Sequence, residues 1–271
     1  MIAVVDYQKG NLLSCERGLV AAGGDARITS DAADILAADA LVLPGVGAFA
    51  DAAATMNELG QMDAIRERVA QGVPFLGICL GLHLMFEEGV EDAPEGAPTK
   101  GLGFLPGCVD KMPQTDKTGT PFKVPHVGWN TLEVPAGEDL QVCDGSEALG
   151  GVHQASSARA GQPSGLSVRA GLFERLDPPE GLADNDNAFA SPLLAGIAPG
   201  TYFYFTHSYI APASAYTVSL TQHSVRFPSV VQAGERVFGT QFHPEKSSDA
   251  GAQVLRNFVG IVEAACGRKG A

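Results

Sequence analysis

Residues 74–81, with the sequence PFLGICLG, carry the strongest local structural signal in the chain. Its first half is a short apolar run typical of a buried strand, and a helical pattern starts directly after it. Cys79 stands at the junction, with Gly77 and Gly81 two positions away on either side. A nucleophile between small residues in a strand-to-helix turn is the pattern of a nucleophile elbow, here with cysteine in the place of serine. The stretch therefore predicts a sharp turn that lifts the Cys79 sulfur clear of a sheet.

The predicted turn also sets the Cys79 sulfur at the N-terminus of a helix. The helix dipole favours the thiolate there, and the thiolate is the nucleophilic form. Taken alone, the same residues are equally compatible with a buried cysteine between packing glycines. The other cysteines have no such setting and are interpreted as inert: Cys15, Cys108, Cys143 and Cys266.

Strand and helix patterns alternate around the elbow. Strands are predicted at residues 2–7, 26–29, 40–43 and 73–78. Helices are predicted from an Asn11 cap to Gly23, over residues 51–71 as one or two helices, and over residues 80–88. This alternation predicts an α/β fold, an open and mostly parallel sheet with helices on both faces. Because ligands bind such sheets at the carboxyl ends of the strands, chemistry is expected there.

The pattern changes after residue 120. Closely spaced strands, indicating an antiparallel or mixed portion, are predicted at residues 202–206, 216–220, 224–226 and 237–242. A closing helix is predicted over residues 249–265, with an inner face of Val254, Leu255, Phe258 and Val259. Residues 136–190 contain no lysine and show no sustained period. We therefore expect a single domain over residues 1–271 with a flexible insertion at about 136–190.

The composition excludes several classes of function. The 271-residue chain is 45% apolar and carries 18 Lys and Arg against 31 Asp and Glu, a net charge of −13. A chain this acidic is not expected to bind nucleic acid or an anionic membrane as its main task. The cysteines show no CxxC pair and no His/Cys ligand spacing, so neither a metal nor another cofactor is predicted. With no membrane-spanning window and no signal-peptide pattern, a reducing cytoplasm is the expected location.

A general base for Cys79 is predicted in the stretch FHPE, residues 242–245. Residues i and i+2 of an extended segment point to the same side, so Glu245 can accept a hydrogen bond from one ring nitrogen of His243. The other ring nitrogen then faces Cys79, as a nucleophile needs a base and the base needs an orienting group. A lone HxE is more often a surface pair beside a turn proline, but its combination with the elbow favours catalysis.

Acyl chemistry at Cys79 also requires hydrogen-bond donors for an oxyanion. The amide of Leu80 is one candidate because it directly follows the nucleophile. A second donor is expected among Gly45, Val46 and Gly47, which end a neighbouring strand and whose glycines allow an unusual backbone orientation. On its own, this second stretch is equally compatible with an ordinary strand-ending turn.

These motifs together resemble the class I glutamine amidotransferases, a flavodoxin-like α/β family, and within it the glutaminase subunits of imidazole glycerol phosphate synthases. The residues that carry the resemblance are 6–7, 10–12, 44–49 (PGVGAF), 77–81 (GICLG), 124–130 (VPHVGWN), 207–209 (HSY) and 239–247 (GTQFHPEKS). The elbow and the HPE stretch mark the class. The PGVGAF, VPHVGWN and HPEKS stretches narrow it to these subunits.

The resemblance implies a Cys79–His243–Glu245 triad that hydrolyses the side-chain amide of L-glutamine. It implies that Gly47 and the backbone around Ser208 and Tyr209 hold the substrate, and that the Gly45–Val46 peptide supplies the oxyanion amide. The ammonia then passes to a separate cyclase subunit, a (β/α)8 barrel in a heterodimer, which makes imidazole glycerol phosphate and aminoimidazole carboxamide ribotide in histidine biosynthesis. The positions that match the family's interface with the cyclase are Asn11, Trp129 and Lys246.

The chain departs from the family pattern at three places. His83 stands where the family usually carries glutamine, four residues after Cys79 and therefore on the same helical face, which places it among the substrate-contacting positions. Gln8 stands where the family commonly has glycine, and the insertion at 136–190 is absent from typical members.

Three alternative functions stay open from the residues. One is a glutaminase subunit of another synthase, such as anthranilate or aminodeoxychorismate synthase, although VPHVGWN and HPEKS speak against it. A second is a stand-alone γ-glutamyl peptidase, which shares the elbow and needs no partner. A third is a binding subunit that has lost turnover, an alternative raised only by His83.

Overall fold

The computed structural model describes residues 1–95, 97–136, 139, 176–178 and 189–267. Most of the segment 136–190, including Cys143, lies outside the described residues, so the expected insertion is not among them. The described α-helices are α1 (Leu12–Ala21), α2 (Ala32–Ala37), α3 (Phe49–Glu58), α4 (Gln61–Ala70), α5 (Leu80–Leu84) and α6 (Ser248–Ala265).

The described strands form one large sheet and two small ones. The large sheet contains β1 (Ile2–Val5), β2 (Ala26–Thr29), β3 (Ala40–Gly45), β4 (Phe75–Cys79), β11 (Thr217–Gln222), β12 (Arg226–Ala233) and β13 (Val237–Thr240). A four-stranded sheet contains β5 (Phe86–Gly89), β6 (Thr99–Lys100), β7 (Leu105–Lys111) and β10 (Tyr209–Ile210). The remaining pair is β8 (His126–Thr131) and β9 (Tyr202–His207).

The large sheet confirms the predicted α/β architecture. Its order is β11-β12-β13-β4-β3-β1-β2, with β13, β4, β3, β1 and β2 parallel and the pairs β11–β12 and β12–β13 antiparallel. The inner parallel strands β13, β4, β3 and β1 are buried on both faces, as their continuous apolar runs require, whereas the edge strand β2 is only partly buried. Helices α1 and α6 share a core cluster with one face of the sheet, and α2 to α5 share a second cluster with the other.

The helix expected over residues 80–88 is wrong in its second half. It ends at Leu84, and Phe86–Gly89 form strand β5 instead. Phe86 is fully buried and pairs with Leu105 of β7, so partners distant in the sequence decide this segment. Gly89 packs so closely on the Phe49 ring that a Cβ atom built on residue 89 would lie 2.5 Å from a ring carbon. The strand can therefore pack directly against Phe49 because residue 89 has no side chain.

Three further features of the structure differ from the sequence-based prediction. The strand expected at 224–226 is wrong except for Arg226, the first residue of β12, whose buried residues, including Phe227, Val230 and Val231, belong to a strand between β11 and β13. Helix α2 was not predicted, since it is short and is marked mainly by the Asp31 side chain, which accepts a hydrogen bond from Ala33. Asn11 occupies the cap position of α1, but its side chain makes no capping hydrogen bond.

The turn between β4 and α5 is the elbow that the sequence predicts. Cys79 has a φ of 55°, in the left-handed region that residues with a Cβ rarely adopt. The flanking glycines are required by close backbone contact: a Cβ on Gly77 would lie 2.6 Å from the Gly81 carbonyl oxygen, and one on Gly81 would lie 1.8 Å from the Leu43 carbonyl oxygen. The first turn of helix α5 therefore packs in direct backbone contact with strands β3 and β4.

Replacing Gly81 with alanine is expected to destabilise the protein by about 3 kcal/mol or more, because the new methyl group meets backbone atoms that cannot move aside. Gly260 is the matched control, since it lies exposed in α6 with nothing within 4 Å of a built Cβ. Gly260→Ala should stabilise the helix by about 0.5–1 kcal/mol. Urea unfolding of the two variants measures both effects, and equal unfolding midpoints would contradict the close packing at the elbow.

Candidate active site

The carboxyl ends of three adjacent parallel strands bring the candidate catalytic residues together. Strand β4 ends at Cys79, and Gly45 at the end of β3 is its direct partner in the sheet. On the other side of β4, Thr240 of β13 pairs with Ile78. The chain that follows β13 therefore brings His243 to the turn that contains Cys79. The Cys79 sulfur and the His243 ring interact electrostatically, and the His243 Nε2 atom is buried without a hydrogen-bond partner among the described residues. The predicted meeting of positions 79 and 243 at one rim is therefore present.

His243 is oriented by Glu245, as its spacing predicts. The Nδ1 of His243 lies 2.9 Å from the Oε1 of Glu245, and both side chains are 2% exposed. Backbone contacts hold this segment against β9: the His243 amide donates to the Tyr204 carbonyl at 3.0 Å, and the Ser247 hydroxyl donates to the His243 carbonyl at 2.6 Å. These contacts hold the His243 backbone beside β9, and the hydrogen bond to Glu245 orients the ring.

The electrostatics of His243 favour its protonated form. Burial alone lowers its pKa, but the electrostatic interaction with Cys79, together with the Glu245 carboxylate, outweighs burial and raises the pKa to about 10. At neutral pH the ring is then an imidazolium between two acidic partners. Such a charge stabilises a neighbouring thiolate, the reactive form of cysteine.

Two further groups contact the Cys79 sulfur. It lies 3.8 Å from the carbonyl oxygen of Thr206 in β9, and the Nε2 of Gln241 donates to it at 3.7 Å. Gln241 is fully buried, and its Oε1 lies 2.8 Å from the Nε2 of His83. Gln241 was not among the residues predicted from the sequence, although it belongs to the GTQFHPEKS stretch two residues before His243.

A cleft of about 440 Å³ opens in front of Cys79. Its lining includes six of the seven residues predicted to contact substrate or oxyanion, namely Val46, Gly47, Leu80, His83, Ser208 and Tyr209. The seventh, Gly45, does not line the cleft but is paired with Cys79 in the sheet. Gly47 has a φ of 111°, the kind of backbone conformation that its glycine was expected to allow.

The cleft also contains residues that the sequence analysis did not single out. Glu91 and Asp92 place two carboxylates on its wall, and His207 and Pro125 line it from the β8–β9 side. The acidic pair follows strand β5, which was predicted as helix, so its position could not be foreseen. A run of acidic residues at 87, 88, 91 and 92 was the available signal.

Three histidines form a cluster beside the cleft. The Nδ1 of His126 lies 3.1 Å from the Nε2 of His207, and the His223 ring stacks on His126 with centroids 4.2 Å apart. Burial lowers the pKa of His126 to about 4 and holds that of His207 well below its ordinary value. These two rings are therefore neutral at pH 7, and they differ in this respect from His243.

The residues predicted at a partner interface lie close to the His243 segment. The Trp129 side chain on β8 is 51% exposed and contacts the Tyr204 ring edge-on, with centroids 6.1 Å apart. The Lys246 ammonium lies 6.0 Å above the same Tyr204 ring. Helix α1, which Asn11 precedes, packs against the short helix Pro244–Lys246. Gln8 has a φ of 68°, in the left-handed region that favours glycine.

The described residues contain neither a cluster that could bind a metal ion nor a membrane-spanning helix. Within them, no group of three or more His, Cys, Asp or Glu side chains could hold a metal ion. No helix in the described part of the chain is long and apolar enough to cross a membrane.

Comparison with known proteins finds one family model, described as "Glutamine amidotransferase class-I", which matches residues 3–261. Among similar curated proteins, the "Imidazole glycerol phosphate synthase subunit HisH" of Geobacillus kaustophilus is 37% identical, over 96% of this chain and 97% of the relative. The protein of the same name from Nocardia farcinica is 36% identical, over 95% of this chain and 96% of the relative.

Solved structures share the fold at low sequence identity. A structure titled "Crystal structure of glutamine amidotransferase" has a TM-score of 0.57 at 17% identity and covers 96% of this chain and 98% of its own. A structure of "PurLQS from Thermotoga maritima" has a TM-score of 0.54 at 14% identity, over 96% of this chain and 97% of its own. At this identity they support the architecture of the sheet and helices.

Proposed function

The chain belongs to the class I glutamine amidotransferase family, and we propose that it is the glutaminase subunit of an imidazole glycerol phosphate synthase. It hydrolyses L-glutamine to glutamate and ammonia, and the ammonia passes to a cyclase subunit in histidine biosynthesis. The observation that carries the proposal is the Cys79–His243–Glu245 arrangement at the carboxyl ends of β4 and β13, in which Cys79 lines the cleft. The names of relatives that match almost the full length of the chain support the assignment.

In the proposed reaction, the Cys79 thiolate attacks the side-chain carbonyl carbon of glutamine. The carbonyl oxygen becomes an oxyanion, and the His243 imidazolium gives its Nε2 proton to the nitrogen as the C–N bond breaks. Ammonia leaves, and a γ-glutamyl thioester remains on Cys79. The neutral His243 then takes a proton from water, which attacks the thioester, and glutamate leaves as the thiolate–imidazolium pair is restored. Glu245 keeps the ring in one orientation through both steps.

Backbone amides at the ends of two strands are the proposed oxyanion donors. The Leu80 amide follows the nucleophile at the start of α5, where the four N-terminal amides of a helix lack intrahelical partners. The Gly45–Val46 peptide supplies the second donor, and the pairing of Gly45 with Cys79 supports this role. Such preorganised donors stabilise the charge that develops in the transition state.

The charge of the cleft fits the α-ammonium group of an amino acid. Glu91 and Asp92 supply negative charge, and Glu91 is half buried, with its Oε2 accepting a hydrogen bond from the Phe49 amide at 3.3 Å. Burial raises the pKa of Glu91, so a bound ammonium that neutralises it is favourable. Gly47 and the Ser208–Tyr209 backbone hold the remainder of the glutamine main chain in this proposal.

The outer face of the β8–β9 pair is the proposed docking surface for a (β/α)8-barrel cyclase, giving a heterodimer. It presents Val127, Trp129 and Tyr202, which are 57%, 51% and 61% exposed. This surface is continuous with the His243 segment through Tyr204 and Lys246, so a partner seated there lies beside the source of ammonia. The relatives are named as subunits and are matched almost from end to end, which supports a cyclase on a separate chain.

The described cysteines support a reducing compartment such as the cytoplasm. Cys15, Cys79, Cys108 and Cys266 are all free thiols. Disulfides are rare where thiol reductants are abundant, so free thiols in a small metabolic enzyme fit that location.

Replacing Cys79 with alanine is expected to abolish glutamine-dependent synthesis and to spare ammonium-dependent synthesis. With the cyclase present, imidazole glycerol phosphate formation from glutamine should fall at least about a thousandfold, since the nucleophile is gone. Formation from added ammonium chloride should be unchanged, as the cyclase does that chemistry. Both rates are measured on the same purified complex.

Cys108→Ala is the matched control for Cys79→Ala, because Cys108 is a free thiol on β7 outside the cleft. It should leave both rates unchanged. Loss of both nitrogen sources in Cys79→Ala would contradict the proposed division of labour. Full glutamine hydrolysis by the isolated wild-type chain would favour a stand-alone γ-glutamyl peptidase, and activation by a chorismate-using synthase would favour the other synthases.

Replacing Trp129 with alanine is expected to weaken the complex with the cyclase at least about tenfold, because a large exposed aromatic ring is a typical anchor of an interface. Leu36→Ala is the control, since Leu36 is also exposed but lies on α2, which follows the edge strand β2 at the other end of the sheet. Calorimetric titration of the chain with cyclase measures both affinities. Equal affinities for the two variants would exclude the β8–β9 face.

A further inference from the structure

The Cys79 sulfur receives one side-chain hydrogen bond that the proposed triad does not explain. Its donor is the Nε2 of Gln241, at 3.7 Å. Gln241 is fully buried, and its side chain has only two polar ends, so its orientation fixes which end meets the sulfur. A thiolate can only accept, so the amide nitrogen must face it and the amide oxygen must face away.

The amide oxygen of Gln241 faces His83. The two atoms, Oε1 of Gln241 and Nε2 of His83, are 2.8 Å apart, a good hydrogen-bond distance between two buried groups. A carbonyl oxygen has no proton to give, so the His83 ring must donate through Nε2. The contact thus selects one ring tautomer, with the proton on Nε2 and a lone pair on Nδ1.

We propose that His83 is a positioning residue that acts on the nucleophile through Gln241. Its Nε2–H holds the Gln241 oxygen, which aims the Gln241 amide N–H at the Cys79 sulfur and stabilises the thiolate. His83 lies one turn after Cys79 on α5, and Gln241 lies between β13 and His243, so the chain of contacts links both sides of the site. The inference rests on the proposed function of Cys79 as a nucleophile.

The surroundings of His83 suit a neutral donor. The side chain is 3% exposed, and burial lowers its pKa to about 4, so no charge is introduced beside the imidazolium of His243. A neutral ring donates to Gln241 without competing for the thiolate as a second cation. The other titratable groups that act on Cys79 or His83 are Tyr7 beyond β1, His207 on β9 and His243.

This role differs from the substrate contact that the sequence predicts for position 83. The ring does line the cleft, but its Nε2 is already engaged by Gln241. Among the described residues, no hydrogen bond is formed by Nδ1 of His83, which leaves an acceptor for a substrate N–H. His83 therefore lines the cleft and also contacts Gln241. The contact with Gln241 is the one that orients the amide N–H toward the Cys79 sulfur.

The test is the pH dependence of alkylation of Cys79 by iodoacetamide in the full-length chain, followed at the Cys79 peptide by mass spectrometry. His83→Phe keeps a ring of similar size but removes the donor. The pH of half-maximal rate should rise by about half a unit to one unit, which makes alkylation below that pH about three- to tenfold slower. Gln241→Met should produce a similar rise.

The double variant and the conservative variant separate positioning from packing. If His83 acts through Gln241, the double variant should shift no further than either single variant. His83→Gln retains an N–H donor and should keep the half-maximal pH close to that of the wild type. Should His83→Phe fail to fold, His83→Asn supplies the test, since its amide is too short to reach Gln241 and it should show the same rise.

An unchanged half-maximal pH in folded His83→Phe or His83→Asn would overturn the inference, and so would additive shifts in the double variant. Failure of the proposed function is a separate result. Alkylation does not require glutamine turnover, so a shift without any glutaminase activity in the cyclase complex would contradict the proposed function alone. Glutaminase activity without the shift would contradict the positioning role alone.

Discussion

The close approach of α5 to strands β3 and β4 is the constraint on which the rest of the site depends. Gly77 and Gly81 allow that approach, and Cys79 between them takes a backbone conformation that costs about 1–3 kcal/mol in a residue with a Cβ. The surrounding packing over-determines this strained turn. Its consequence is that the sulfur stands above the sheet edge, level with Gly45 on one side and with the chain leaving β13 on the other.

The charges of the site are held in a buried setting by mutual pairing. A lone buried imidazolium would be strongly disfavoured, yet His243 has a carboxylate on one side and the Cys79 sulfur on the other. The neighbouring histidines show the contrast: within the described residues, His83, His126 and His207 form no ion pair with a carboxylate, and burial lowers the pKa of each. The surroundings of each ring therefore favour a charged His243 and neutral neighbouring histidines.

Much of this site could be predicted because it is encoded in short stretches at strand ends. The elbow, the HPE stretch and the Gly45–Gly47 turn each follow an apolar strand, and parallel strands bring their carboxyl ends to one edge. Strand β5 could not be predicted, as residues 80–88 have a helical pattern and Phe86 becomes a strand residue only by pairing with β7. The His83–Gln241 contact was equally hidden, because 158 positions separate the two residues and no local pattern records the link.

The most direct measurement of the central claim is a search for the covalent intermediate. The chain is mixed with L-glutamine in the presence of the cyclase, quenched in acid during turnover and digested, and each cysteine peptide is weighed. A γ-glutamyl adduct is expected on Cys79 and on no other cysteine. Turnover of glutamine with an unmodified Cys79 peptide at every quench time, or with the adduct on a different cysteine, would contradict it.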